Sequence, residues 1–319
     1  MQKKIENPLT TPIKPDEQKF KIRAAVENFY DIQKLRIQCG NRICAAFKMC
    51  ADVEEDISAL KSILNEYDRI TDVYVEKFGS KPRSLGKAVD SMSDTTYIKS
   101  VFDYSLASQY RALLYQESES NKMLTKIVKD HPMWDLFFKD AKGCGPVIAG
   151  ICLAYFDVHK APYVSNFWSY AGLGTRVDQE TGERVAMSRY ATIDQEYIDK
   201  DGNTKTRKSI GYNDFLHTKL LGVLGDSFIK SGGKYRKVYD DKKNYFICRG
   251  DMMRKDGSVN QIRCHRAAIR QAVKIFLLDM WVAWRSYEGY TLTPTYAEVH
   301  LGLAPHGYNE ADGRQKLDL

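Results

Sequence analysis

Apolar positions recur at helical spacing over most of the chain. Ile22, Val26, Phe29 and Gln33 lead into Leu35, Ile37 and Ile43, and Val53, Ile57, Leu60, Ile63, Leu64 and Tyr67 follow at three- and four-residue steps. The glycines and proline of GSKPRSLGK, residues 79–87, predict a loop, and the pattern resumes as a helix over Tyr104 to Lys129. Next, WDLFFKDAKGCGPVIAGICLAYFD predicts a short helix ending at Leu136, Phe137 and Phe138, a tight turn at Gly143-Cys144-Gly145, and a second helix from Val147 to Phe156. Pro146 sits where a helix begins without wasting an amide. This is the outline of a helix-hairpin-helix, whose glycines let backbone N–H groups approach a phosphate at a helix N-terminus. An ordinary tight turn between two helices fits the same residues.

Beyond Gly174 the period shortens. Glu180-Thr181-Gly182-Glu183 and Lys200-Asp201-Gly202-Asn203 are turn signals between short β-branched or aromatic segments, which predicts one or two small β-hairpins. Helices return from Tyr212, break at Gly232-Gly233, and end in IRCHRAAIRQAVKIFLLDMWVAWRSYEG. There Ile269, Val273, Phe276, Met280 and Trp284 form an apolar stripe, and Arg263, Arg266, Arg270 and Lys274 lie along another face. The expected fold class is therefore mainly α: a helical bundle with a helix-hairpin-helix and one or two small β-hairpins. Its expected divisions are a flexible leader over 1–18, a helical N-terminal region over 19–130 for linking or dimerisation, a hairpin and basic helical domain over 131–290, and an extended tail over 291–319.

Composition narrows the class. At 319 residues with 43% hydrophobic residues the chain has enough apolar mass for a core. It has no apolar run near the roughly 18 residues a membrane helix needs, and MQKKIENPLTTPIKPDEQ lacks the apolar stretch of a signal peptide, so the chain reads as cytoplasmic with no membrane partner. Seven cysteines, none in a Cys-x-x-Cys pair, read as free thiols rather than a disulfide or zinc framework.

The net charge of +7 changes the picture more, because it is unevenly placed. Lys200 to Arg270 holds seventeen Lys and Arg against seven Asp and no Glu, an excess of +10 beside a remainder of −3. Tyr212, Phe215, Phe228, Tyr235, Tyr239, Tyr245 and Phe246 are interleaved with these cations. Such a mixture suits phosphate neutralisation beside base stacking. DNA is the expected partner and RNA the second. The residues expected to meet it are Lys142, Gly143, Cys144, Gly145 and Val147 in the hairpin, Lys234, Arg236, Lys237, Lys242 and Lys243 beyond the glycine break, and Arg263, Arg266 and Arg270 on the last helix.

Catalytic patterns are sparse. The six histidines form no His-Glu-x-x-His pair, the adjacent Cys264 and His265 point apart on a helix, and no Walker loop or Gly-x-Ser-x-Gly elbow occurs. Asp157, just past the hairpin, is the acid to watch, although acids there commonly cap a helix or pair with a cation. No resident metal or cofactor is expected from the pattern.

One stretch carries a more specific likeness. Gly143, Gly145, Pro146, Ala149, Asp157, Phe167, Tyr170, Gly172 and Leu173, in KGCGPVIAGICLAYFDVHKAPYVSNFWSYAGLG, fall in an order that resembles the C-terminal domain of the DEDD/serine insertion-sequence transposases, the bridge-RNA-guided recombinase group. The resemblance covers roughly 134–175 and, more loosely, the basic region to about 290. It implies a DNA transposition or recombination enzyme of mobile elements with a serine nucleophile in a Ser-Gly dipeptide, and Mg²⁺ if the chain is catalytic. At the matching place this chain has Thr181-Gly182, and its nearest serines are Ser188 and Ser209, so these three hydroxyls are the catalytic candidates the resemblance implies. The family's N-terminal RuvC-like domain, source of four metal-binding acids, has no counterpart in the helical pattern here.

Three functions stay open at this point: a transposase-like DNA-binding protein, a non-catalytic RNA-binding or ribonucleoprotein scaffold, and a helical module for an acidic protein partner. A homo-oligomer is expected.

Overall fold

The computed structural model describes residues 17–50, 57–79, 95–177, 182, 184–187, 192–200, 202–250 and 252–294. The chain divides into two compact units, one spanning Ala24–Lys126 and the other gathering Met1–Arg23 with Ile127–Leu319.

The Ala24–Lys126 unit is helical. It draws on α1 (Glu17–Cys50), α2 (Ile57–Phe78) and α3 (Val101–Lys129). Its core is Cys39, Ile43, Ile63, Leu64, Ile70, Ile98, Tyr104, Ala107 and Tyr110; apart from Ile98, which precedes α3, these are residues that the 3.6 period places on one face of each helix. Polar groups brace it: the Glu66 carboxylate accepts the amides of Thr96 at 2.7 Å and Tyr97 at 2.8 Å, and Arg36 pairs with Glu117. Leu35 and Ile37, counted with the apolar pattern of α1, are exposed instead. The inward face continues through Gln33 and Arg36, which reach Glu117, and through Gly40, where a Cβ would come within 3.0 Å of the Tyr110 ring. The 1–18 leader is corrected at its end, since Glu17 and Gln18 already belong to α1 and the remainder lies outside the described residues.

The second unit is built on one long helix. After a π-helical turn at Trp134–Phe138 come α4 (Pro146–Tyr155), α5 (Val164–Tyr170), β1 (Thr175–Val177), β2 (Arg184–Ala186), β3 (Ile193–Ile198) and β4 (Thr204–Ser209). Then follow α6 (Asp214–Thr218), a second π-helical turn at Lys219–Leu224, α7 (Gly225–Ser231), α8 (Lys234–Arg249) and α9 (Gln261–Tyr287). The apolar stripe of α9 is buried throughout, from Ile269 to Trp284. Around Phe276 the rings of Phe137, Phe228 and Tyr235 gather at 5.3, 5.5 and 5.5 Å. The indole N–H groups that burial would strand find carbonyls: Trp281 donates to Ala161 at 2.9 Å and Trp168 to Lys274 at 3.1 Å.

Both expected hairpins form, as two separate two-stranded antiparallel sheets. β1 and β2 pair Thr175 with Ala186 and Val177 with Arg184, while β3 and β4 pair Ile193 with Ser209 and Ile198 with Thr204. The fold is mainly α with small β-hairpins, and among the described residues no helix is long and apolar enough to cross a membrane. Of the expected tail, Thr291 and Thr293 are described and docked: the Thr291 carbonyl accepts from Arg285, and the Thr293 hydroxyl donates to Pro162 at 2.6 Å.

Candidate nucleic-acid interface

The two glycines of the hairpin do different work. Gly143 adopts φ +93°, and a Cβ there would lie 2.7 Å from the Ser231 hydroxyl and 3.0 Å from the Phe228 ring. Its carbonyl accepts the Ser227 hydroxyl at 2.7 Å. Gly143 is thus demanded by close packing on α7, and its local role is to let the hairpin lie on that helix. Gly145 has nothing within 4 Å of a built Cβ. It caps α4 with extended backbone, φ −76° and ψ 172°, ahead of Pro146.

The first ladder bond of α4 runs from the Ala149 amide to the Gly145 carbonyl at 3.0 Å. The Val147 amide precedes it, as does that of Ile148, and both point along the helix axis toward the open side at Gly145. Cys144 between the glycines is buried and its amide bonds Ala141 at 2.9 Å. Burial pushes its thiol well up, so Cys144 is a core residue and no partner to a ligand.

Lys142 is exposed, and its stem lies on Gly233, where a Cβ would meet the Lys142 Cδ at 3.1 Å. Gly232 and Gly233, at φ +72° and +87°, turn the chain there into α8. The hairpin and the basic start of α8, some ninety residues apart in sequence, are in this way brought to one edge.

The cations of α8 are less available than their number suggests. Lys234 pairs with Asp279 at 2.9 Å, and Arg236 pairs with Asp240 at 2.7 Å while donating to the Ile229 carbonyl at 2.7 Å. Lys242 and Lys243 lie over Tyr245 and Tyr239, with their ammonium groups 5.6 and 5.7 Å from the ring centres. Lys237 is exposed, as are Arg263 and Arg266 at the start of α9. Tyr245, 52% exposed, lies between Lys242 and Arg249.

Arg270 faces inward. Its Nη2 donates to the carbonyls of Gly172 at 3.0 Å and Gly174 at 3.1 Å, closing the Tyr170–Gly174 turn onto α9. Gly172 needs to be glycine twice over: φ is +69°, and a Cβ would come within 2.6 Å of Tyr212 and 2.9 Å of His217. The His217 ring nitrogen Nδ1 meets the Ala171 carbonyl at 2.9 Å, and the Asn213 amide donates to the Tyr170 carbonyl at 3.0 Å. One turn further along α9, Lys274 is partly buried with its ammonium 4.1 Å from the centre of the Trp168 ring. Burial, with Arg270 nearby, pulls its amine down to about 8. The sequence pattern marks Tyr212 only as one of the aromatics among the cations and Lys274 only by its place in the 263, 266, 270, 274 spacing. That spacing held the signal for Lys274, and nothing in the sequence marked the tryptophan.

Of the three catalytic candidates only Ser209 falls among the described residues. Thr181 and Ser188 lie outside the described residues. Ser209 ends β4, and its hydroxyl accepts the Gly211 amide at 3.4 Å. Asp157 accepts the His159 amide at 3.1 Å and pairs with Lys19 at 2.9 Å. Burial raises its carboxyl, but Lys19, His159 and Lys160 outweigh that and hold it below the ordinary range, so it serves as an anchor for the start of α1. Among the described residues no group of three His, Cys, Asp or Glu side chains could hold a metal ion.

No family model matches the chain, and the searches of curated proteins and solved structures likewise return no match.

Proposed function

We propose that the chain is a transposase-like DNA-binding protein, related to insertion-sequence recombinases, that grips duplex phosphates at the hairpin edge. The observation that carries this reading is the meeting of Lys142, the open N-terminus of α4 at Gly145 and the start of α8. A helix N-terminus with unladdered amides favours an anion, and exposed cations beside it add charge that does not depend on base sequence. Lys237, Arg263 and Arg266 extend the positive surface.

Gly145→Asp tests the reading. The position is open and extended, so an aspartate fits there and, as an N-cap, supports α4. Stability is expected to stay level or rise, while affinity for duplex DNA falls on the order of tenfold as a carboxylate meets phosphate. Fluorescence anisotropy over a salt series measures this, and unchanged affinity would remove the hairpin from the interface.

A second reading, an RNA-binding scaffold, is favoured by exposed Tyr245 between two cations, an arrangement suited to an unstacked base. Competition among duplex DNA, junction DNA and structured RNA separates the two. Strand transfer through Thr181 or Ser188 belongs to the family resemblance, and a covalent protein–DNA adduct lost on changing either residue is the outcome that would support it.

A further inference from the structure

Arg270 and Lys274 stand four residues apart on α9, so both side chains leave the same face. Like charges at that spacing repel, and in this protein both are partly buried. Among the described residues no carboxylate pairs with either. Arg270 is held by two carbonyl oxygens, both through Nη2, which leaves Nε and Nη1 with no partner among the described residues. Lys274 is held from the other side by the face of Trp168, whose indole N–H is itself fixed on the Lys274 carbonyl. The turn above them cannot be padded out: a Cβ on Gly174 would sit 2.9 Å from the Ser169 hydroxyl, and one on Gly172 would strike Tyr212.

Positive charge collected in low-dielectric surroundings without an acid is costly unless something offsets it. For other cations of this unit the described residues do include the acid, as with Asp279 for Lys234 and Asp240 for Arg236. Carbonyl dipoles and a ring face orient the two groups without neutralising them. An arginine whose Nε and Nη1 have no partner among the described residues, beside an ammonium, matches the oxygens of one phosphate.

We propose that Arg270 and Lys274, beneath the Tyr170–Gly174 turn, form a binding site for a single phosphate group. It lies at the root of the hairpin that carries Thr181, since β1 starts at the residue after Gly174. The source of that phosphate rests on the nucleic-acid reading above: a backbone phosphodiester there is a contact separate from those at the α4 edge. The site itself does not depend on that reading, because free phosphate has the same chemistry.

The test follows the Lys274 amine by NMR in the full chain labelled at lysine, with Lys274→Met identifying the signal. In chloride the amine is expected to titrate near 8. Inorganic phosphate at matched ionic strength is expected to raise the midpoint by about one unit, as an anion beside it favours the charged form. A short DNA duplex is the second arm. A response to duplex at lower phosphate-group concentration than to inorganic phosphate assigns the site to nucleic acid, and a response to inorganic phosphate alone keeps the site while assigning it to a free anion.

No movement with either probe overturns the proposal. Thermal unfolding supplies a second readout that does not need the lysine signal: phosphate is expected to raise the Tm of the wild-type protein and not that of Lys274→Met. An equal rise in both places the phosphate elsewhere and overturns the proposal too. Gly145→Asp leaves this site intact, so failure of the hairpin interface and failure of the Arg270–Lys274 site give different results.

Discussion

The cations of α8 and those on the inner face of α9 lie near one another in sequence, yet their surroundings differ. On α8 charge is balanced locally: Lys234 and Arg236 each meet an aspartate, and Lys242 and Lys243 rest on tyrosine rings near solvent. On α9 Arg270 and Lys274 are drawn under the Tyr170–Gly174 turn, among carbonyls and an indole. A surface ion pair contributes at most about 1 kcal/mol. A partly buried guanidinium bonded to two carbonyls sets the position of a whole turn. Equal charge density along a sequence therefore says little about which cations a polyanion can reach and which the fold has used.

Gly172→Ala breaks the α9 side of this contrast most sharply. It forces a Cβ into a positive-φ turn and against Tyr212, and is expected to cost about 3 kcal/mol in urea unfolding, from strain and overpacking together. Gly145→Ala, at the open position across the unit, is expected to change stability by less than about 0.5 kcal/mol.

Lys274→Met sharpens the contrast through pH. The folded amine is depressed from 10.5 to about 8, so between those values the unfolded chain binds more protons than the folded one. Wild-type stability is then expected to rise with pH across that window, by on the order of 2–3 kcal/mol relative to Lys274→Met, which lacks the titrating group. Below pH 8 both states are protonated and the cost of the buried charge is fully present. Denaturant unfolding of the two proteins at pH 7.5 and pH 10 measures the difference.

The smallest effect separates available cations from engaged ones. Arg263→Gln, at an exposed position, is expected to weaken duplex binding a few-fold and to flatten the slope of log affinity against log salt by up to about 0.9. Arg236→Gln, already neutralised by Asp240 and tied to Ile229, is expected to leave the slope unchanged. Equal slopes for the two variants would erase the distinction drawn between paired and exposed cations.

Much of the fold was legible because burial follows period. Ile269, Val273, Phe276, Met280 and Trp284 were readable as one stripe, and all five are buried in α9. Gly232-Gly233 marked a break and sits at positive φ where α8 starts. The candidate site was legible only in outline. Gly143 and Gly145 look equivalent in a Gly-x-Gly motif, but α7, eighty residues later, packs against the first and leaves the second open. Leu35 and Ile37 misled because the inward face of α1 is completed by Gln33, Arg36 and Gly40, whose fit depends on Glu117 and Tyr110 of α3.

By itself the sequence determined the helical class, the glycine-marked breaks and the concentration of positive charge after residue 200, since periodicity, backbone permissiveness and formal charge are local properties. Only the tertiary structure decided which charges are neutralised and which are merely held in place. Asp279 reaches Lys234 across forty-five positions, and the Gly172 carbonyl reaches Arg270 across ninety-eight. Electrostatic energy depends on distance and dielectric environment, and both are set by packing between residues remote in the chain.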